Sequence, residues 1–284
     1  MIHDTDTIAP FTIKPAVEGR QVPVILDSPH SWRAYPAGFA PIAAEAELLT
    51  SWDAWVDELF GAAPSLGAAM LVARFPRFYL DLNRTRDDID PALVAGALPF
   101  ETRPGNKSAV GMGLLRRLAL PGVPVYAAPL PAAEVLRRIE TCYDPYYAAL
   151  GGLMDDTHAA FGRVVHLDCH SMKSRGNAMN DDPGAQRPDI VVSDRDGTTA
   201  DPELTRLLAG LFEAQGLKTT INWPYKGGQL IRRFSDPARG RHAIQIELNR
   251  GLYMDEARFK KKEPGFSSLR GQITNVLRDF IAAI

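Results

Sequence analysis

The chain has 284 residues, of which 45% are hydrophobic and 23% charged, a balance typical of a globular protein with a sizeable core. Its formal net charge of -2 and pI near 6.3 give no basic field for nucleic acid. No apolar stretch approaches the roughly 20 residues that a membrane helix needs. We therefore expect neither a nucleic-acid nor a membrane partner.

The first predicted elements are a strand and a long helix. Val22 to Leu26 is a β-branched run that predicts a buried strand, with His30 in the polar loop at its end. Glu45 to Leu66 has apolar residues at helical spacing and predicts one helix. Asp53 and Asp57 would then lie one turn apart on the same helix face.

Two more strands and a long loop are predicted next. Ala69 to Phe75 and Phe78 to Arg84 both have strand character, and the second run ends in charged residues. Residues 87–124 are rich in Gly and Pro. We predict that this segment is a long active-site loop and not a linker between domains.

The second half of the chain alternates helices and strands. Ala132 to Phe161 predicts a long helix, kinked near Pro145 and ended by Gly162. Val164 to His170 predicts a strand whose carboxyl end delivers a second histidine. The remaining predicted elements are the polar loop 171–188, the strand 190–192, the helix 202–215, the strands 218–222 and 243–248, and the helix 267–284.

Alternating strands and helices predict an α/β fold with a central mixed, mostly parallel sheet flanked by helices. A single domain over residues 1–284 is the simplest organisation, since no internal repeat is visible. The two cysteines, Cys142 and Cys169, are too few for a disulfide framework. The first ten residues lack the pattern of a secretory signal. These features predict a cytoplasmic protein, and they make no prediction of its oligomeric state.

The polar residues best suited to a ligand site lie at the ends of predicted strands: His30, Asn83-Arg84, His170 and Glu247. Ligand sites of open α/β sheets form at the carboxyl ends of strands. Two imidazoles and a carboxylate are a typical catalytic zinc set, in which the metal lowers the pKa of water to about 7. We therefore predict Zn²⁺ held by His30, His170 and an aspartate, with another divalent ion as the alternative.

The third ligand is a choice between two aspartates. We favour Asp53, which lies nearer the helix start, and assign Asp57 to support; the reverse order stays open. Glu247 alternates along its strand with Ile246 and Leu248 and so faces away from the core. It is our candidate general base. Arg84 is suited to a substrate carboxylate because its planar fork matches one.

Other nucleophile chemistries are disfavoured. Ser28 and Ser171 each lie near a histidine in sequence, but no Gly-x-Ser-x-Gly elbow occurs. Cys169 lies within a predicted strand, where neighbouring side chains point to opposite faces. No phosphate-binding glycine loop of the Walker or dinucleotide type is present.

Several motifs in fixed order carry a resemblance to a known family. They are Ser28-Pro29-His30-Ser31, Asp53-x-x-x-Asp57, Asp81-Leu82-Asn83-Arg84, Asp168-Cys169-His170-Ser171-Met172, Gln245 to Arg250 and Tyr253 to Glu256. From about residue 22 to residue 256 the chain resembles the N-formylglutamate amidohydrolases. That family is similar to zinc carboxypeptidases and aspartoacylases, which implies a phosphorylase/hydrolase-like fold.

The resemblance also implies roles and a reaction. His30 and His170 match the metal histidines, Glu247 the general base, and Asn83-Arg84 the pair that holds a substrate carboxylate. Asp168 is implied as support for the metal histidine. Arg232 and Arg250 are added as predicted substrate-binding residues. The expected reaction is hydrolysis of N-formyl-L-glutamate to formate and L-glutamate, a step of histidine degradation.

Two departures from the family pattern fall near predicted site residues. Trp32 stands where Gly is expected after Ser-Pro-His-Ser, and Arg233 replaces a histidine. We expect both changes to lie in the substrate pocket and to alter substrate choice. The alternative functions are a zinc hydrolase for another N-acyl amino acid or a peptide C-terminus, and a non-catalytic protein that binds an acidic metabolite.

Overall fold

The computed structural model describes residues 3–4, 9–180 and 182–284. Seven strands form a central sheet and are labelled in chain order. They are β1 (Phe11–Lys14), β2 (Val24–Ser28), β3 (Ala69–Ala73), β4 (Val164–Met172), β5 (Ile190–Ser193), β6 (Thr219–Ile221) and β7 (Arg241–Asn249). Their order across the sheet is β6-β5-β7-β4-β2-β3-β1.

Four neighbouring strands, β7, β4, β2 and β3, run parallel to one another. Strand β5 is antiparallel to β7, and β1 is antiparallel to β3. The predicted mixed, mostly parallel sheet is therefore confirmed. The carboxyl ends of the four parallel strands meet at one edge, and this edge carries the candidate site.

The described residues form eight α-helices. They are α1 (Glu45–Leu49), α2 (Val56–Leu59), α3 (Asn106–Ala109), α4 (Ala132–Arg138), α5 (Asp144–Phe161), α6 (Pro202–Ala214), α7 (Gln229–Phe234) and α8 (Gly265–Ala283). Short 3-10 turns cover Ala63–Leu66, Pro91–Leu93, Pro237–Arg239 and Arg250–Leu252. Two-residue strands occur at His3–Asp4, Tyr35–Pro36, Val94–Ala95, Val123–Pro124, Leu130–Pro131, Met254–Asp255 and Lys260–Lys261, and a three-residue strand at Leu118–Leu120. None of the helices in the described ranges is long and apolar enough to cross a membrane.

The two faces of the sheet differ in polarity. Alternate residues of β4 and β7, such as Leu167 and Ile246, join a hydrophobic cluster with α6 and α8. A second cluster includes Leu150 of α5 and Ile25 of β2. Because side chains alternate along a strand, the residues between the apolar ones of β4 and β7 face the α5 side. They are His166, Asp168, His170, Gln245 and Glu247, and all five are buried.

The predicted helix from Glu45 to Leu66 is wrong as a single element. The segment breaks into α1, α2 and a 3-10 turn, and Asp53 lies in the connection between α1 and α2. Trp55 adopts a left-handed backbone conformation with φ 55°. The amide of Asp53 donates to the carbonyl of His30 and not to a carbonyl one helical turn back. The apolar spacing still marks buried positions correctly, because Trp52, Val56 and other apolar residues of the segment are buried.

The predicted strand from Phe78 to Arg84 is also wrong. The amides of Tyr79 and Leu80 both donate to the carbonyl of Pro76, which makes turns, and the amide of Asp81 donates to the carbonyl of Leu114. The run is apolar because Phe78, Leu80 and their neighbours fill the second cluster. Burial of a turn and burial of a strand leave the same short apolar pattern.

The other predicted elements are confirmed within a few residues. The helix from Ala132 to Phe161 has a π-helical segment, Ile139–Tyr143, directly before Pro145, and Gly162 ends it with φ 73°. Strand β1 and helix α7 are elements that the sequence patterns did not predict. Residues 1, 2 and 5–8 of the segment examined for a signal sequence lie outside the described residues, as does Asp181 of the polar loop.

Candidate metal centre

Three buried side chains converge at the carboxyl edge of the sheet. His30 follows β2, and His170 lies near the end of β4, so parallel neighbouring strands bring the two imidazoles together. Their Nδ1 atoms are 3.3 Å apart. Asp53 Oδ2 lies 2.9 Å from His170 Nδ1 and 3.6 Å from His30 Nδ1. The three atoms form a compact triangle that could hold a metal ion.

Asp53 is fixed from two sides. Its amide donates to the carbonyl of His30 at 3.1 Å, and its Oδ1 accepts a hydrogen bond of 2.8 Å from Arg250. The other carboxylate oxygen is thereby directed at the histidines. Asp57 is not part of the triangle: it forms an ion pair of 3.6 Å with Lys14 and is partly exposed. The structure therefore brings Asp53, and not Asp57, to the two histidines.

A carboxylate lies next to the Nε2 atom of each histidine. His30 Nε2 lies 3.0 Å from Asp81 Oδ1, and His170 Nε2 lies 2.8 Å from Asp168 Oδ1. Both are ion-pair distances without the angular geometry of a hydrogen bond. They place a carboxylate on the Nε2 side of each ring and leave Nδ1 to face the metal, as in the usual carboxylate–histidine–metal arrangement. Asp168 was predicted in this role. Asp81 was not predicted in this role. Its partner His30 is remote in sequence, and the segment that carries Asp81 was predicted to be a strand.

Asp168→Asn is expected to weaken metal binding by about 10–100-fold, since a supporting carboxylate sets the orientation and basicity of its histidine. The dissociation constant, measured by competition with a chromophoric chelator, checks this. Asp27→Asn is the matched control. Asp27 is equally buried on the same sheet face, but it contacts Tyr146 and His166, so metal affinity should hold. Equal affinity of Asp168→Asn and wild type would contradict the assigned role.

The charge states fit a cation site. Burial alone would raise the pKa of Asp53, but hydrogen bonds to His170 and His30 and the charge of Arg250 lower it well below its ordinary value. Burial alone would lower the pKa of His170, but Asp168 and Asp53 raise it well above. Burial and the charge of Arg77 lower the pKa of His30. In the metal-free protein the His170 imidazole therefore favours its protonated form, and a metal would displace that proton.

Glu247 lies beside the triangle. It is the register partner of His170 on the adjacent parallel strand, and it is 8% exposed. Burial raises its pKa to about 7, which is a suitable value for a general base near neutral pH. Its Oε1 accepts a hydrogen bond of 2.9 Å from Gln245, which occupies the same strand face two residues earlier and was not predicted as a site residue.

Asn83 links this base to the histidines. Its Nδ2 lies 3.2 Å from His170 Nε2 and donates to Gln245 Oε1 at 3.2 Å. Gly228 makes the arrangement possible, because a Cβ atom there would lie 2.2 Å from Asn83 Oδ1. The Gly227-Gly228 pair thus permits a close approach of backbone to Asn83.

A cavity of about 770 Å³ opens beside these residues and is strongly cationic. Among the described residues that line it, Glu247 is the single acid, whereas nine are lysine or arginine. The basic residues are Arg77, Arg84, Lys107, Arg116, Lys173, Arg187, Arg195, Lys226 and Arg250. Asn106 and Met112 of the predicted active-site loop also contribute to the lining. Such a lining attracts a substrate that carries more than one negative charge.

The predicted substrate-binding residues separate into two groups. Asn83 and Arg84 line the cavity, although Arg84 also donates to the carbonyls of Asn83 and Met112. Arg250 reaches the lining, but its donors are used by Asp53, Ser171 and the carbonyl of Thr50. It supports the metal ligand Asp53 and also lines the cavity, so its predicted role in substrate binding stays a prediction.

The other residues expected in the pocket lie outside the lining of the cavity. Arg232 is exposed on α7 and outside the cavity lining, as is Arg233. Trp32 is also outside it, and Arg74 stacks over its ring at 4.7 Å. The two departures from the family pattern therefore do not face the substrate cavity. Tertiary packing turns both the helix face of Arg232 and Arg233 and the Trp32 ring away from it.

Comparison with known proteins decides the family. A sequence model of the family described as N-formylglutamate amidohydrolase matches residues 22–254. The chain belongs to the N-formylglutamate amidohydrolase family. Members of this family are enzymes that act on an amide, and the resemblance seen in the motifs is confirmed.

Relatives within the N-formylglutamate amidohydrolase family span nearly the whole chain. An N-formylglutamate deformylase of Pseudomonas putida is 31% identical over 84% of each chain. Another from Pseudomonas aeruginosa is 30% identical over 92% of this chain and 94% of its own. The crystal structure of N-formylglutamate amidohydrolase from Ralstonia eutropha superimposes with a TM-score of 0.91 at 38% identity, over 98% of this chain and 99% of that one.

A protein from Agrobacterium tumefaciens shares the fold. Its TM-score is 0.64 at 19% identity, over 96% of this chain and 95% of that chain. The fold of this chain is therefore shared with a protein that is only 19% identical in sequence.

Proposed function

We propose that this protein hydrolyses N-formyl-L-glutamate to formate and L-glutamate, with a divalent metal, zinc as the first choice, held by His30, Asp53 and His170. The observation that carries the proposal is the triangle of ligand atoms beside a buried glutamate, in a cavity otherwise lined by cations. The relatives named N-formylglutamate deformylase support the substrate.

The residues fit the metal. Zinc bonds of roughly 2.0–2.2 Å in a tetrahedral site place neighbouring ligand atoms roughly 3.3–3.6 Å apart. Two of the three separations here, 3.3 and 3.6 Å, lie in that range, and the third, 2.9 Å between His170 and Asp53, is a hydrogen-bond distance that would lengthen slightly around an ion. In the metal-free protein His170 Nδ1 can donate a proton to Asp53 Oδ2 at 2.9 Å, and a metal ion would take the place of that proton between the three ligand atoms. A bound ion supplies a Lewis acid that lowers the pKa of water to about 7.

Glu247 acts as the general base and then as the general acid. It accepts a proton from the attacking water and delivers it to the amide nitrogen, so the carbon–nitrogen bond breaks and formate and the free amine result. Asn83 donates to Gln245, and Gln245 donates to Glu247, so this hydrogen-bonded chain holds the carboxylate in place. The base is therefore positioned before substrate arrives, which is how orientation contributes to rate.

The cationic lining favours a dicarboxylate such as N-formylglutamate over a neutral N-acyl amino acid. Arg84, beside Asn83 and the metal histidines, is suited to the carboxylate nearest the scissile amide. We also propose a cytoplasmic location and a role in histidine degradation. Both cysteines are buried and free, which suits a reducing compartment.

Formate release from N-formyl-L-glutamate, together with metal content by mass spectrometry, tests the proposal. The expected result is turnover that depends on a bound divalent ion and that a chelator removes. A panel of N-acyl amino acids and short peptides is assayed in parallel. If the enzyme preferred another member of the panel, that compound would replace N-formyl-L-glutamate as the proposed substrate. Full activity of the metal-free protein would contradict the proposed metal dependence.

A further inference from the structure

Lys173 is a cation of the cavity that the proposed chemistry does not use. It directly follows β4 and lies three residues after His170. Its side chain is partly buried and lines the main cavity. It also lines an adjoining cavity of about 210 Å³, together with Thr50 and Arg250.

The Lys173 ammonium has no partner among the described residues. Other cations of the lining do. Arg187 donates two hydrogen bonds of 2.7 Å to Asp182, and Lys226 pairs with Asp196 at 2.8 Å. Lys173 is therefore a positive charge in the cavity to which no described carboxylate is paired within ion-pair distance.

The surroundings of Lys173 make its positive charge energetically unfavourable. Burial, and next the charge of Arg250, lower the pKa of Lys173 to about 8, with Arg116 and Arg187 acting in the same direction. Glu256 acts in the opposite direction, but its carboxylate accepts from the amide and hydroxyl of Ser174. A cation among cations is unfavourable unless an anion binds there.

We propose that Lys173 binds the side-chain carboxylate of the substrate and so selects acidic over neutral N-acyl amino acids. This inference rests on the proposed function and adds a specificity-determining residue to it.

The division of the two substrate carboxylates follows from the chemistry of N-formylglutamate. Its α-carboxylate is attached to the carbon that bears the scissile amide nitrogen, so it must lie close to the metal. Asn83, 3.2 Å from His170 Nε2, and its neighbour Arg84 are placed for it. The second carboxylate is farther along the chain and needs a second cation. Within the part of the chain that the structure describes, Lys173 is the lining cation without a side-chain or backbone partner.

The test is Lys173→Met, assayed on N-formyl-L-glutamate and on N-formyl-L-glutamine, which lacks the side-chain charge. We expect kcat/KM for the glutamate substrate to fall by about 10–100-fold, mainly through KM, because a charge-assisted hydrogen bond is lost. The glutamine substrate should be nearly unaffected. Lys218→Met is the matched control, because Lys218 is exposed and lies outside the cavity lining, so both substrates should be turned over as in the wild type. An equal loss on both substrates would overturn the proposal.

A binding measurement separates this proposal from the proposed function. Glutarate, a five-carbon dicarboxylate, is titrated calorimetrically into the metal-loaded wild type and Lys173→Met, with butanoate as the monocarboxylate. Weaker glutarate binding by the variant, with butanoate unchanged and an equal or higher melting temperature, supports Lys173 even if no N-formyl compound is turned over. Unchanged glutarate affinity, or a lower melting temperature with no change in selectivity, contradicts it.

Discussion

Glu247→Gln is expected to lower kcat by about 10²–10⁴-fold, the usual contribution of a general base. Glutamine keeps the size of the side chain and its place beside Gln245, but it cannot take a proton from water. The metal ligands are untouched, so metal content should stay near one ion per chain. Steady-state formate release and metal analysis on the same preparation measure both quantities.

The control for this variant is Glu203→Gln, at an exposed position in the first turn of α6. It makes the same chemical change away from the cavity and should leave kcat unaltered. The comparison also separates an enzyme from a binding protein. If Glu247→Gln retained wild-type turnover, the proton-transfer role would be lost; if the wild type bound acidic metabolites without turnover, the non-catalytic alternative would gain.

Asp53→Asn is expected to reduce bound metal to background after gel filtration, with activity falling in parallel. The loss should exceed the roughly 10–100-fold typical of a supporting residue, because a charged ligand atom is removed. It also leaves Arg250, now bonded to Asp53 Oδ1 at 2.8 Å, without its counter-charge. Metal content and chelator competition give the measurement.

Asp57→Asn is the matched partner of that experiment. Asp57 lies four residues further along the chain and pairs with Lys14 at the surface. Removing its charge should alter stability by less than about 1 kcal/mol and leave metal binding intact. The reverse outcome, metal lost from Asp57→Asn and kept by Asp53→Asn, would exchange the two assignments.

The sequence by itself determined the sheet edge and the two histidines. Buried parallel strands leave uninterrupted apolar runs that stop abruptly, and His30, His170 and Glu247 come at or near those stops. Period-two alternation also placed Glu247 away from the apolar face, as observed. The family could be recognised for the same reason: motifs at several strand ends retained their order along the chain.

Only the tertiary structure decided the rest. Whether Asp53 or Asp57 faces the histidines depends on a break between α1 and α2, which a hydrogen bond to His30 and an ion pair with Arg250 stabilise. The roles of Asp81 and Lys173, and the positions of Trp32 and Arg232, likewise depend on partners far away in sequence. Local periodicity records which side chains are buried, because burial follows the repeat of the backbone. It does not record which distant polar group a buried or half-buried charged side chain contacts. Those contacts between residues far apart in sequence form the site.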